Sequence, residues 1–355
     1  MLKKITLMIG CLCLFLTACT PQDAYIAITG YAQGGTYTVK LNLNGTDGRI
    51  KAAPEEIKSS IDSIFQVIDT TLSGYNKGSM ISRFNHGETI VPNTLFKDIY
   101  QEAYGFWEET EGLLDVASGK LFDLWGFGFT KDSLPSDQKV QELLKTIGMK
   151  RLEKTIEPDE TGRFSPADLI AEGQEEAALP VLNYNAIAQG YSCDLIARYL
   201  YSIGVKDMLV EVGEIYCDGV NPSGKGWSLG VDRPFDGNYE PGKDIQAIWQ
   251  SDGRPHGVVT SGNYRKFYIK DGQKYSHTID PLTGHPVTHN LLSATIIAND
   301  SMTADAYATY CMVLGLEKAR KFIESRKDIE GYLIYSEGDE MKEWYSEGFQ
   351  IKAIH

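Results

Sequence analysis

Two short stretches hold side chains that could do chemistry. In YSHTIDPLTGHPV (Tyr275 to Val287), a run of β-formers ends at His277 and gives way to a turn built on Asp280, Pro281, Thr283 and Gly284. The turn accounts for Pro281, Thr283 and Gly284, but not for His277. An imidazole exchanges protons near neutral pH, and at a strand end beside a carboxylate it could accept one from a reacting group. In TADAYAT (Thr303 to Thr309), Asp305 and Thr309 are four apart and so share one face of a helix. A carboxylate and a hydroxyl at that spacing are hard-oxygen donors of the kind Mg²⁺ takes beside phosphate oxygens and water. An acid that complements a helix dipole, and a Thr bonded back to its own helix, would account for the pair as well.

Four further stretches are suggestive without being decisive. GYAQGGTY (Gly30 to Tyr37) has glycines that let backbone approach a ligand, but no phosphate-loop Lys. LSGYNKGSMISRFN (Leu72 to Asn85) sets Tyr75 in a Gly-flanked loop, where it could stack on a planar ring or simply pack. LLDVASGKLFDLWGFG (Leu113 to Gly128) is turn-rich and aromatic. NYNAIAQGYSCD (Asn183 to Asp194) opens a helix with small and amide side chains, as either a cap or a binding site would require. The chain has no GxGxxG, HExxH or GxSxG.

The elements that must position these residues are legible from periodicity. Tyr37–Leu43 alternates and reads as a strand. Pro54 opens a helix with Ile57, Ile61, Ile64, Phe65 and Ile68 on one face; Thr94–Thr110 and Ala186–Ile203 read as two more, the last ended by Gly204. DMLVEV, WSLGVDRP, AIWQSD, GVVTS and SATIIAND read as strands, and FYIKDGQKYSHTI as a hairpin turning at Asp271-Gly272. SMTADAYATYCMVLGLEKARKFIE reads as one long helix, with GYLIYS and MKEWYS as a closing hairpin. Helices mixed with hairpins, rather than strict βαβ order, give an α+β class with a mostly antiparallel sheet.

The N-terminus, MLKKITLMIGCLCLFLTAC, has a basic start, an apolar run too short to span a bilayer, and small residues before Cys19. This resembles a bacterial lipoprotein signal, with residues 1–18 removed, Cys19 acylated, 19–28 a short tether and 29–355 the folded domain. The expected location is the periplasmic side of the inner or outer membrane, held by lipid. Losing Lys3 and Lys4 leaves 32 basic against 48 acidic residues, a balance that argues against nucleic acid as a partner. Cys193, Cys217 and Cys311 are too few and too widely spaced for a disulfide framework or a zinc site.

Taken in order, these stretches resemble the FAD:protein FMN transferase family (ApbE-like lipoproteins). LSGYNKGSMISRFN, GLLDVASGKLFDLWGFG, NAIAQGYSCD, TSGNYRKFY, SHTIDPLTGHPV and TADAYAT are each similar to a motif of that family, and GYAQGGTY to its N-terminal glycine motif. The resemblance implies a T-fold-related architecture with FAD in a cleft between a β-rich and a helical region. It implies Mg²⁺-dependent cleavage of FAD and attachment of FMN to a Thr or Ser of a partner protein, typically a subunit of a membrane redox complex. By motif position, FAD would be contacted by Gln33, Tyr75, the backbone at Leu113, Leu114 and Asp115, Asn183, Gln189 and Ile279. The Ala186 carbonyl, Asp305 and Thr309 would hold the metal, with His277 as base and Asp280 in the catalytic set. The chain departs from the family where Asn183 replaces the common Asp and Gln189 the common Lys. A flavin-binding lipoprotein without transfer, and an FAD pyrophosphatase releasing FMN and AMP, are the alternatives.

Overall fold

The computed structural model describes residues 24–127, 134–174, 177–235, 238, 240, 242–264, 267–270 and 273–352. Cys19 and the expected signal segment lie outside them, as does the Asp271-Gly272 turn. The first described strands, β1 (Tyr25–Ala32) and β2 (Gly35–Asn42), join across Gln33 and Gly34, with φ of 52° and 82°. Two left-handed residues in succession make the tight turn whose twist matches its strands. Tyr25 already pairs with Asn42, so the tether boundary expected after residue 28 falls inside a strand. β1 is an edge strand with mostly exposed or half-buried side chains, and so lacks the alternation that marks a strand in sequence.

After a small hairpin, β3 (Asn44–Gly45) and β4 (Gly48–Arg49), comes α1 (Pro54–Leu72), with Pro at its start and the Glu56 carboxylate accepting from Ala53 N at 2.8 Å. Ile57, Ile61, Phe65 and Ile68 are buried along it, as the spacing predicts. Four helices follow: α2 (Met80–Asn85), α3 (Thr94–Glu109), α4 (Gly119–Leu124) and α5 (Asp137–Leu144). α6 (Ala188–Ser202) starts two residues later than expected, because Asn185–Ile187 form a turn and Ile187, at φ −145°, caps the helix.

Then come β5 (Met208–Val212), β6 (Glu214–Asp218), β7 (Ser228–Asp232), β8 (Ile245–Gln250) and β9 (His256–Gly262). Next are β10 (Phe267–Lys270), β11 (Gln273–Ser276), β12 (Ile279–Asp280), β13 (His285–Pro286) and β14 (Leu291–Ala298). The chain continues through α7 (Ser301–Leu314), α8 (Leu316–Glu324), β15 (Glu330–Glu337), β16 (Glu340–Tyr345) and β17 (Ile351–Lys352). The single long helix expected over 301–324 is therefore two. Gly315 breaks it at φ 73°, where a β-carbon would also meet the His289 ring at 3.0 Å.

The fold is mixed α+β. An eight-stranded sheet runs β1-β2-β5-β6-β9-β14-β15-β16, antiparallel at every pairing. Its two faces are divided by the alternation of single strands. Met208, Val210 and Val212 of β5 pack with α1 and α6, while Leu209 points the other way, into a core shared with Leu229, Trp249 and Phe349. That second core lies under a small sheet, β17-β8-β7. Leu333 and Ile296 join the helical core that includes Tyr307 and Met312, so α7 lies against the main sheet beside α6. The cysteines at 193, 217 and 311 are buried and free, as the sequence predicts.

Candidate active site

α7 carries Asp305 and Thr309, and its start is fixed from two sides. Asp300 caps it, accepting from Thr303 N at 2.8 Å. Asp194 of α6 reaches across and accepts from Ser301 N at 2.8 Å and Met302 N at 2.9 Å. Gly190 lets the two helices meet, since a β-carbon there would lie 2.2 Å from the Ser301 carbonyl oxygen. In that close approach the Gly190 N–H donates to Asp305 Oδ2 at 3.1 Å. Burial, and then the nearby Glu214 carboxylate, push the Asp305 pKa well up, so the ionised form calls for a cation. Among the described residues, Gly190 N is the one hydrogen-bond donor to this carboxylate.

Asp194 gives this arrangement a pH signature. Burial lifts its pKa from 3.8 to about 7, although the Ser301 and Met302 donors pull it down. The folded state therefore holds a proton that the unfolded chain has already lost, and the stability this contributes fades as pH rises from about 4 to about 7. The urea midpoint of the wild type should fall relative to that of Asp194→Asn across that interval; parallel curves would show that the carboxyl does not titrate there.

A cleft opens beside α7 at the end of β9. Thr309, Met312 and Val313 form one wall, and Ser261 and Gly262 of β9 the next, with Ser261 Oγ 3.3 Å from Thr309 Oγ1. Asn183 and Ala186, in the turn before α6, close a third side. Opposite lie Leu113, Leu114 and Asp115, and the segment from His277 to Ile279, between β11 and β12, completes the enclosure. Eight of the residues expected at the site thus share one cavity, although they come from four separate stretches of sequence.

The walls are braced from behind. The Asp115 side chain is spent on structure: Oδ1 accepts from Ala117 N at 2.8 Å and Oδ2 from Met149 N at 3.0 Å. Burial raises its pKa to about 6, and its backbone is what remains to meet a ligand. Trp125 donates from Nε1 to the Gly284 carbonyl at 2.7 Å and stacks on Tyr275 at 6.0 Å, tying the WGF segment to the chain on both sides of His277. Asn183 Oδ1 accepts from Asn185 N at 3.0 Å and shapes the turn that carries Ala186.

Four expected residues lie elsewhere. Asp280 Oδ1 accepts from Leu282 N at 2.8 Å and Thr283 N at 3.2 Å, so it holds the turn after His277. Tyr75 stands 83% exposed in the loop between α1 and α2, outside the cleft. Gln189 donates to the Val212 carbonyl at 3.3 Å and lines a second cavity behind β5 and β6. Gln33, at the β1–β2 tip, donates to Ser192 Oγ at 2.5 Å, one turn of α6 from Gln189. Conversely, Ser261 and Gly262 stand in the TSGNY stretch without a role assigned from sequence, yet they line the cleft. Glu214 was also missed; only the packing of β6 brings it within reach of Asp305.

The Ala186 carbonyl, the Asp305 carboxylate and the Thr309 hydroxyl are all hard oxygens. Among the described residues no group of three His, Cys, Asp or Glu could hold a metal. A single carboxylate with neutral oxygens suits a small hard cation that keeps phosphate oxygens and water as its other ligands.

Residues 34–333 match the model of the ApbE family. The chain belongs to the ApbE family. The FAD:protein FMN transferase of Escherichia coli K12 is 32% identical over 319 residues, covering 88% of this chain and 85% of that one. The Salmonella typhimurium enzyme of the same name is 32% identical over 344 residues, 94% and 91% of the two chains. Among solved structures, the apo flavinyl transferase ApbE of Pseudomonas stutzeri has a TM-score of 0.75 at 29% identity, over 91% of this chain and 95% of its own. The flavin transferase ApbE of Vibrio cholerae has a TM-score of 0.74 at 30% identity, over 92% and 98%. ApbE membership thus rests on the whole fold, helices and sheet together, and not on one motif.

Proposed function

We propose that this protein is an FAD:protein FMN transferase that uses Mg²⁺. The observation that carries the reading is the meeting of His277, Thr309 and the Ala186 turn in one cleft, beside the buried Asp305. Ala186, Asp305 and Thr309 would hold the metal, which supplies charge neutralisation on the pyrophosphate as its bridge breaks. Leu113 to Asp115 and Ile279 bind and orient FAD, and the enclosed cleft limits access of water to the phosphorus. A Thr or Ser hydroxyl of a recipient protein then attacks the phosphorus on the FMN side. A new P–O bond forms, the P–O bond to AMP breaks, and AMP leaves with the bridging oxygen. His277 accepts the hydroxyl proton, because an alcohol is a weak nucleophile at its own pKa.

The test is incubation of the purified domain with FAD, Mg²⁺ and washed membranes of the host lacking its own copy. In-gel flavin fluorescence on a protein band supports transfer. Free FMN and AMP would make the protein a pyrophosphatase, and FAD returned intact would make it a binding protein.

The lipid anchor belongs to the same proposal. No helix of the described residues is long and apolar enough to cross a membrane. With Cys19 acylated, residues 1–18 would be removed and the domain held at the membrane surface on the periplasmic side, within reach of a membrane redox subunit as recipient. Cys19→Ser should move the protein from the membrane pellet to the soluble fraction with its FAD binding intact; a variant still pelleted would remove the anchor from the account.

A further inference from the structure

The small sheet ends early. β7 pairs with β8 and, among the described residues, with no strand on its other side. Trp227 accepts from Ser251 N at 2.8 Å on the β8 side, so by strand alternation the N–H and C=O groups of Ser228 and Gly230 point away from β8. Beside that edge runs a cavity of about 740 Å³, floored by Leu209 and Glu211 of β5 and bounded beyond by Lys40 of β2. Both Ser228 and Gly230 are exposed on it. Among the described residues, the space is where a fourth strand of the small sheet would lie, over the part of the main sheet that β7 leaves uncovered.

We infer that this groove receives an extended segment of the flavin-accepting protein, which adds to β7 as an antiparallel or parallel strand and so carries its Thr or Ser to the reaction. The inference rests on the transferase reading. Its strongest support is continuity with the site. Gln189 and Glu214 line the groove, and Glu214 is the carboxylate that acts on Asp305. A transferase needs a protein-sized entrance beside its phosphoryl site, and a free strand edge recognises extended backbone with little demand on sequence. The floor is only mildly selective: Glu211 and Asp232 outnumber Lys40, so neutral or basic residues around the acceptor hydroxyl fit better than acidic ones.

Two variants test it, with washed host membranes as the acceptor probe. Ser228→Pro removes an edge donor from a position where proline is tolerated, and Glu211→Trp fills the floor from an exposed site. Each should lower membrane flavinylation about tenfold, with FAD affinity and melting temperature as in wild type. Wild-type flavinylation by either correctly folded variant would overturn the groove and leave the transferase standing. Weakened FAD binding in both would overturn it too, by making the cavity part of the flavin site. A wild-type protein that labels no membrane protein at all would overturn the transferase reading itself.

Discussion

His277→Ala should cut flavin transfer by about a thousandfold while FAD still binds as it does to the wild type. The side chain lines the cleft at the end of β11, between Ser276 and the β12–β13 turn, and that turn is held by Asp280 and by Trp125. These braces are backbone-directed and survive the substitution, so the cleft keeps its shape. What would be lost is the group proposed to take the hydroxyl proton as the new phosphoester forms. FAD titration followed by a single-turnover assay separates the two effects. Near-normal transfer in the variant would remove His277 from the chemistry.

The second large effect is expected at Asp305. Asp305→Asn keeps an acceptor for the Gly190 N–H but removes the charge, and transfer should fall at least about a hundredfold. A readout independent of activity is available. In the wild type, Mg²⁺ together with AMP or FAD should raise the unfolding temperature, since a ligand that binds only the folded state stabilises it by mass action. In Asp305→Asn the Mg²⁺-dependent part of that rise should vanish. The variant should also be no less stable than the wild type in chelator, because burial and Glu214 disfavour the ionised Asp305 carboxylate that the variant lacks. A variant that keeps the full Mg²⁺ response would place the metal elsewhere.

Much of this site was legible in the sequence because its residues sit in local devices. The four-residue spacing of Asp305 and Thr309 needs only a helix, and the SHTIDPLTG turn needs only Pro, Gly and a carboxylate. The same locality gives Asp280 two readings. A carboxylate two residues before Leu282 is as well suited to capping a turn as to catalysis, and the turn takes it. The long helix over 301–324 was misjudged for a related reason: a glycine inside an apolar period is compatible with a helix until its φ is known. Other features depend on non-local pairing and leave no short-range signal. Glu214 meets Asp305 only because β6 and α7 are neighbours in the fold. Gln189 stands in the same motif as Ala186 yet faces a different cavity, because the helix begins between them and turns its side chain toward Val212. Asn183 is engaged in shaping the turn that carries Ala186, a task an amide performs as well as a carboxylate.

The most direct test of the account is the yield of protein-bound flavin per AMP released, measured in one reaction with FAD, Mg²⁺ and host membranes. The account predicts one flavin on a Thr or Ser of a membrane protein for each AMP, with both products lost together in His277→Ala. AMP accompanied by free FMN and no labelled protein would contradict it.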